Sequence, residues 1–399
     1  LRLKSPSMDG MQRQQYIAGE LTQEVAELDM RKWRNICVGI QHDRGIESPR
    51  LLPASVDTGY HGTNLASSVT PGTGASQATT SIIECVTGKG KVIGLNVTNQ
   101  VCNIGSRDKA DGKNILCGEG GDARHPGCTS DKPIACNLSE KEMAKDVCIQ
   151  MKEEDDILIT RLCSDTDSSA RDAFIEVLHD HRPDLELMWN KDPWHIGKRQ
   201  KLAIKNHNYA TGTFGENLNY NERLDCAKAF ASDLTLRTGM TLKKVKHYYK
   251  DDMEKVMLKS ETLIDHMLAC YGGNHKKCAH ATATLAQLTG CRGASTKSCW
   301  MTRKGSPLAI LKIEKITLNE RDSNFTKKVI EKRLGEEELV YLKGRMSTSA
   351  NETYNRMAWQ GNPKNETRSR VGKARQYAAA GRKNNNLCLL YTSDAADDP

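Results

Sequence analysis

The stretch Asp156-Ile-Leu-Ile-Thr-Arg-Leu-Cys-Ser-Asp165-Thr-Asp167-Ser-Ser constrains the chain more than any other. Its apolar residues Ile157, Leu158, Ile159 and Leu162 form a run of the right length for a buried strand. The run ends in two carboxylates, Asp165 and Asp167, before a helix that the pattern starts near Ser168. In open α/β sheets the edge where strand gives way to helix is where ligands and ions gather. The same residues also read as a polar turn with an N-cap, so the rest of the chain has to decide between the two.

The neighbours supply a sheet for that strand. Residues 8 to 40 carry apolar positions at helical spacing, and Pro49 and Pro53 break the chain after them. Leu51 to Val56 reads as a strand ending at Asp57-Thr-Gly-Tyr60, followed by a Gly-rich loop. Thr80 to Val86 and Val92 to Val101 read as a hairpin around Thr87-Gly-Lys-Gly90. Ser139-Glu-Lys-Glu142 is a capping box that opens a helix reaching Glu154. The Asp156 strand, a helix over Arg171 to His181 and a strand over Leu185 to Trp189 follow. Three strands on short connections and then strands joined by helices predict a mixed five-stranded α/β sheet of RNase H-like type. In that order the ends of the first and fourth strands lie side by side, which brings Asp57 opposite Asp165. Beyond Trp189 the chain turns helical, with Asn221 to Arg237, Leu242 to Ala269 and Thr317 to Arg345 as the main segments.

Composition narrows the class. At 399 residues, 38% hydrophobic and 27% charged, the chain can bury a large core. No apolar run reaches the length of a membrane span. The net charge of +8 permits nucleic acid as a partner without demanding it. Fourteen cysteines, together with Asn-x-Ser/Thr triplets such as Asn96-Val-Thr and Asn351-Glu-Thr, leave open a secreted, disulfide-rich surface protein. The start at Leu1 is read as a missing N-terminus. Cys388-Leu-Leu-Tyr-Thr-Ser-Asp-Ala-Ala-Asp-Asp resembles a translated sequencing-library adapter and is expected to stand outside the fold.

Three acids carry the candidate chemistry: Asp57, Asp165 and Glu352, the last in a helical segment from Ser349 to Trp359. Carboxylates from two strand ends and one helix can hold two Mg²⁺ or Mn²⁺ ions about 4 Å apart for phosphoryl transfer. Glu352 alone would read as an ordinary helix glutamate. The set Ser55-Val-Asp57-Thr-Gly-Tyr60, Gly88-Lys-Gly-Lys-Val92-Ile-Gly, Cys163-Ser-Asp165-Thr-Asp-Ser-Ser and Ser349-Ala-Asn-Glu352-Thr-Tyr-Asn355 resembles the Mutator-like transposase domain of animal genomes. The resemblance covers roughly residues 50 to 365. It implies a D-D-E triad of Asp57, Asp165 and Glu352, with Asp167 as the alternative second ligand. It also implies cleavage of double-stranded DNA at transposon ends, strand transfer, a homo-oligomeric active complex and a nuclear location. Thr166 stands where the family has Gly, and Tyr60 where it has Trp; neither change removes a ligand. Asp192-Pro-Trp-His195 resembles the family's Cys/Asp-x-x-His element, which makes His195 a candidate catalytic residue or a strand-end cap. Lys198, Arg199 and Lys201 suit DNA-backbone contacts or a solvated helix face.

Two Cys/His groups have zinc-ligand spacing. One comprises Cys102, Cys117, His125 and Cys128, and the other His275, Cys278, Cys291 and Cys299. Cys37, Cys85, Cys148, Cys163 and Cys226 fall in predicted strands or helices and read as apolar filling. The expected organisation is a helical segment 1–49, an RNase H-like core 50–204 and a helical Cys/His-rich insertion 205–345. The catalytic helix follows over 346–365, then a basic tail 366–387 and the adapter-like 388–399. A relative of the transposases that binds DNA or protein without catalysis is the alternative to an active enzyme.

Overall fold

The computed structural model describes residues 8–61, 77–100, 128, 130–131, 139–165, 168–249, 253–274, 283–290, 300–301, 303–313, 315–335, 346–361 and 372–385. The chain forms two compact units, residues 1–189 with 346–399, and residues 190–345. Among the described residues no helix is long and apolar enough to cross a membrane.

The first unit is built on a sheet of order β3-β2-β1-β4-β5. Its strands are β1 (Leu51–His61), β2 (Gln77–Glu84), β3 (Val92–Asn99), β4 (Leu158–Ser164) and β5 (Met188–Lys191). β1, β2 and β3 run antiparallel in turn, and β4 runs parallel to β1. This order and these directions are compatible with the RNase H-like core expected from the sequence. The strands β1 and β2 are apolar or small at nearly every position because the sheet is covered on both faces. One face, with Leu52, Ala54, Val56, Ile82 and Leu162, packs on Val147 and Met151 of α2 (Glu140–Asp155) and on Phe174 and Val177 of α3 (Ser169–His181). Gly94 lets α2 approach: a Cβ there would lie 2.6 Å from Val147 Cγ1 and 3.0 Å from Met151 Sδ. The capping box is in place, with the Glu142 N–H donating to Ser139 Oγ at 3.3 Å.

The other face carries Ile83, Leu95 and Val97 against three helices. These are α1 (Met8–Asp43), α10 (Ser349–Gly361) and α11 (Gly372–Asn385). The segment read as a basic tail is therefore partly a core helix. Its Tyr377, Ala379 and Ala380 are buried, and small residues allow α1 close: a Cβ on Gly19 would meet Ala374 Cβ at 3.1 Å. Asn384 completes the edge of β3, accepting from the Val92 N–H at 2.7 Å and donating to the Val92 carbonyl at 2.8 Å. Lys91 Nζ donates to the carbonyls of Lys383 and Asn384 at the end of α11, where a cation suits the helix dipole.

The second unit is helical: α4 (Pro193–Asn206), α5 (Tyr220–Tyr249), α6 (Met253–Tyr271), α7 (Ala283–Thr289), α8 (Pro307–Ile310) and α9 (Glu320–Leu334). It begins earlier than residue 205, because α4 packs with α5 and α9. The segment expected to be one helix from Leu242 to Ala269 is divided between α5 and α6. α5 runs through the gap expected between Arg237 and Leu242, with Gly239 inside it. That glycine and Gly197 leave room for the buried Arg333 guanidinium, 3.0 Å and 2.8 Å from where their Cβ atoms would be. Arg333 Nη1 donates to Gln200 Oε1, Thr238 Oγ1 and the Thr235 carbonyl.

Two predictions follow from this packing. Gly94→Val forces a side chain into α2 and is expected to cost about 1–3 kcal/mol, read as a lower urea midpoint for the first unit. Asp322 tests the second unit. Burial would raise its carboxyl, but the Ala210 N–H, His207 and Arg321 outweigh burial and hold it below the usual range. Its stabilisation is therefore full above the ordinary carboxylate pKa of about 4 and is lost as pH falls through the lower folded value. In thermal melts Asp322→Asn is expected to be less stable at neutral pH and to decline less steeply on acidification.

Candidate active site

β1 and β4 bring two of the three expected acids to one edge. Ser55 of β1 is the register partner of Cys163 of β4, the last pair between these strands. Asp57 and Asp165 each lie two residues further on, so both fall on the Ser55/Cys163 face. Asp165 follows the last residue of β4 directly. Asp57 does not end its strand, as the sequence suggested. β1 continues to His61, held by antiparallel pairing with β2 and by a 2.8 Å contact between the Thr58 and Thr80 hydroxyls. The ladder to β4 stops before Asp57 while the ladder to β2 does not, so among the described residues Asp57 is strand-paired on its β2 flank. Both aspartates are half-buried. Trp189 Nε1 donates to Ser164 Oγ at 2.8 Å and fixes the residue before Asp165. The Arg171 guanidinium lies over the Trp189 ring at 4.7 Å.

Glu352 sits in the first turn of α10, and that helix is fastened to β1 and β2 by side-chain amides. Asn351, wholly buried, accepts from Ser55 Oγ at 2.6 Å and donates to the Ser81 carbonyl at 2.8 Å. One turn on, Asn355 Nδ2 donates to Asp57 Oδ2 at 2.7 Å. Gly59 leaves space for that amide, since a Cβ there would lie 3.3 Å from Asn355 Oδ1. Gly90 does the same at the start of the helix: its φ is +61°, and a Cβ would meet Ala350 Cβ at 2.9 Å. Tyr354 and Ala358 complete the apolar side of α10. Ser55, Ser81, Asn351 and Asn355 are the residues that reading the acids alone misses. For the two amides the signal is polar Asn351 and Asn355 on the same helical stripe as Tyr354 and Ala358, where spacing demands burial. Burial also withdraws Asn351-Glu-Thr from any role as an exposed glycosylation triplet.

The remaining expectations divide by place. Asp192 caps α4, accepting from the Trp194 N–H at 2.8 Å, and His195, Lys198, Arg199 and Lys201 lie on that helix in the second unit. Asp167 lies outside the described residues, as do Cys102, Cys117, His125, His275, Cys278, Cys291 and Cys299. Cys128 is described and carries a free thiol. Among the described residues no three His, Cys, Asp or Glu side chains are gathered tightly enough to hold a metal ion. Asp57 and Asp165 thus share a face of the sheet by register, and Glu352 stands on the helix that Asn351 and Asn355 tie to it. Cys37, Cys148, Cys163 and Cys226 are buried, as expected of apolar filling. Burial, with the charge of Glu84, pushes the thiols of Cys37 and Cys85 up to about 12, which keeps them protonated and unreactive.

The Asn355–Asp57 bond is testable by itself. Asn355→Ala is expected to cost about 1–2 kcal/mol by removing a hydrogen bond to a carboxylate. Asn355→Asp sets two carboxylates against each other, so it is expected to cost more at neutral pH and to recover part of that loss on mild acidification. Urea denaturation of both variants at the two pH values measures the difference.

Comparison with known proteins adds family membership to this geometry. The family model described as Mutator-like transposase matches residues 3–285, a span that takes in α1, all five strands, Asp57 and Asp165. Glu352 lies beyond it. Searches of curated proteins and of solved structures returned no match. The family match covers well over half of the 399 residues, and the chain belongs to the Mutator-like transposases.

Proposed function

We propose that this chain is a D-D-E transposase that cleaves double-stranded DNA at transposon ends and joins the freed ends to target DNA. Family membership makes it a nucleic-acid-processing protein with DNA as partner and a divalent metal, Mg²⁺ foremost, as implied cofactor. The observation that carries the finer reading is the pair of amides on α10. Asn351 ties the helix to β1 and β2, and Asn355 reaches Asp57 itself. Glu352 lies between them in sequence, so the helix that bears it is referenced to the strand that bears Asp57.

The donor set fits the group implied. Asp57, Asp165 and Glu352 offer hard carboxylate oxygens, the ligands that Mg²⁺ and Mn²⁺ prefer, and Asp167 is the alternative to Asp165. Bound there, the ions would activate a water or a DNA 3′-hydroxyl for in-line attack and stabilise the leaving 3′ oxygen. The chain's own contribution is positioning. Asn355 holds one oxygen of Asp57, Trp189 steadies Ser164 beside Asp165, and the buried face of α10 keeps Glu352 from drifting along the sheet. His195 is proposed as a phosphate contact, and Lys198, Arg199 and Lys201 as contacts to the DNA backbone. Joining two ends at one target calls for at least two copies of the chain, acting in the nucleus on chromosomal DNA. Structural zinc on the two Cys/His groups belongs to the same proposal.

The open arrangement of the three carboxylates favours a second reading, a family member that binds DNA without cutting it. Incubating the full chain with linear DNA carrying transposon ends and Mg²⁺ or Mn²⁺ separates the two. The enzyme reading expects nicking that Asp57→Asn, Asp165→Asn and Glu352→Gln each reduce by at least about 100-fold, with DNA binding retained. Binding without nicking in either metal gives the second reading.

A further inference from the structure

α4 presents two unlike faces. Ile196, Gly197, Gln200 and Ile204 are buried. Trp194, Lys198, Lys201, Leu202 and Lys205 follow one another at helical spacing on the opposite side. The 14-residue helix contains no Asp or Glu, so nothing on it offsets its cations. Trp194 is 55% exposed, and Leu202 equally so. An indole left in water gives up a large hydrophobic gain, so an exposed one on a structured helix calls for a partner.

The ring is also held in place. Pro193 fills the first turn, and Asp192 Oδ1 accepts the Trp194 N–H at 2.8 Å. The His195 ring meets the indole edge-on, at 5.0 Å between centroids and 77° between planes. The Lys198 ammonium lies 5.3 Å from the indole centroid. This aromatic, fixed at its base and flanked by the Lys198 ammonium, matches what a single nucleic-acid strand requires. Each base has a flat face to stack on a ring, and each linkage has a phosphate for an ammonium group. A fully paired duplex offers the phosphates but no free base face.

We infer that Trp194 with Lys198, Lys201 and Lys205 forms a platform for an unpaired DNA strand, with the indole stacking one base and the lysines following the phosphates. The inference rests on DNA being the substrate, as proposed above, and adds the form of DNA that this helix holds. Strands opened beside a cleavage site would present such bases.

The test uses fluorescence anisotropy of the full chain with a labelled single strand and with the same sequence as a duplex. Ca²⁺ replaces Mg²⁺ to prevent cleavage. Trp194→Ala is expected to weaken single-strand binding roughly tenfold and duplex binding by less than about twofold. Trp194→Phe, which still stacks, is expected to keep most of the single-strand affinity, whereas Trp194→Leu, which is apolar but cannot stack, is expected to lose it. Lys198→Ala and Lys201→Ala are each expected to weaken both forms and to lower the salt slope by about one. Equal affinity of the Phe and Leu variants for the single strand overturns the platform and leaves DNA as substrate. So does an equal loss on both DNA forms in Trp194→Ala. A chain that binds neither form overturns the DNA reading itself.

Discussion

Asn351 is the residue on which the arrangement of the first unit turns. A buried amide costs several kcal/mol unless its hydrogen bonds are made, and Asn351 is wholly buried. Its oxygen takes the Ser55 hydroxyl, 296 positions away in sequence, and its nitrogen reaches Ser81 on the neighbouring strand. Apolar contacts such as those of Tyr354 and Ala358 would tolerate a small slide of the helix. Directional bonds at both ends of an amide do not. The amide therefore fixes where α10 stops along the sheet, and with it the meeting of Asn355 and Asp57.

The helical unit uses buried charge in the same way. Asp233, fully buried, accepts from Tyr271, Trp300 and Ser306 and pairs with Arg303. Burial, followed by the charge of Asp233, raises the Tyr271 hydroxyl far above its ordinary pKa, which keeps it a donor. Arg333 has the reverse setting: burial lowers it to about 10, and its Nη1 is satisfied by neutral oxygens alone. Such groups add little net stability and can even reduce it. They do disfavour every packing that would leave them unpaired. A bundle of helices with similar apolar stripes needs that discrimination more than it needs additional apolar area.

The strands and most helices were legible because periodicity and turn chemistry are local. Thr87-Gly-Lys-Gly90 named the hairpin, Ser139-Glu-Lys-Glu142 named the start of α2, and the Asp156 run named β4. Asp57 was placed at a strand's end because Gly59 and the polar residues after it look like a loop. Long-range pairing with β2 overrides that local signal. α11 was missed for a related reason: a basic, alanine-rich segment shows no apolar stripe, and small residues earn burial by allowing close approach. The amides of Asn351 and Asn355 belong to a recognisable motif but carry no sign of their partners, which are set by the register of a sheet assembled far upstream.

The Asn384 side chain that pairs with Val92 at the start of β3 has a consequence for synthesis on the ribosome. The strand emerges early, whereas its cover, together with the helix carrying Glu352, is made only after the whole helical unit. Until then the Val92 N–H and carbonyl lack that partner, and Asp57 and Asp165 stand without the glutamate proposed to join them. The order of the chain thus delays both that pairing and the arrival of Glu352 until the helical unit has been made.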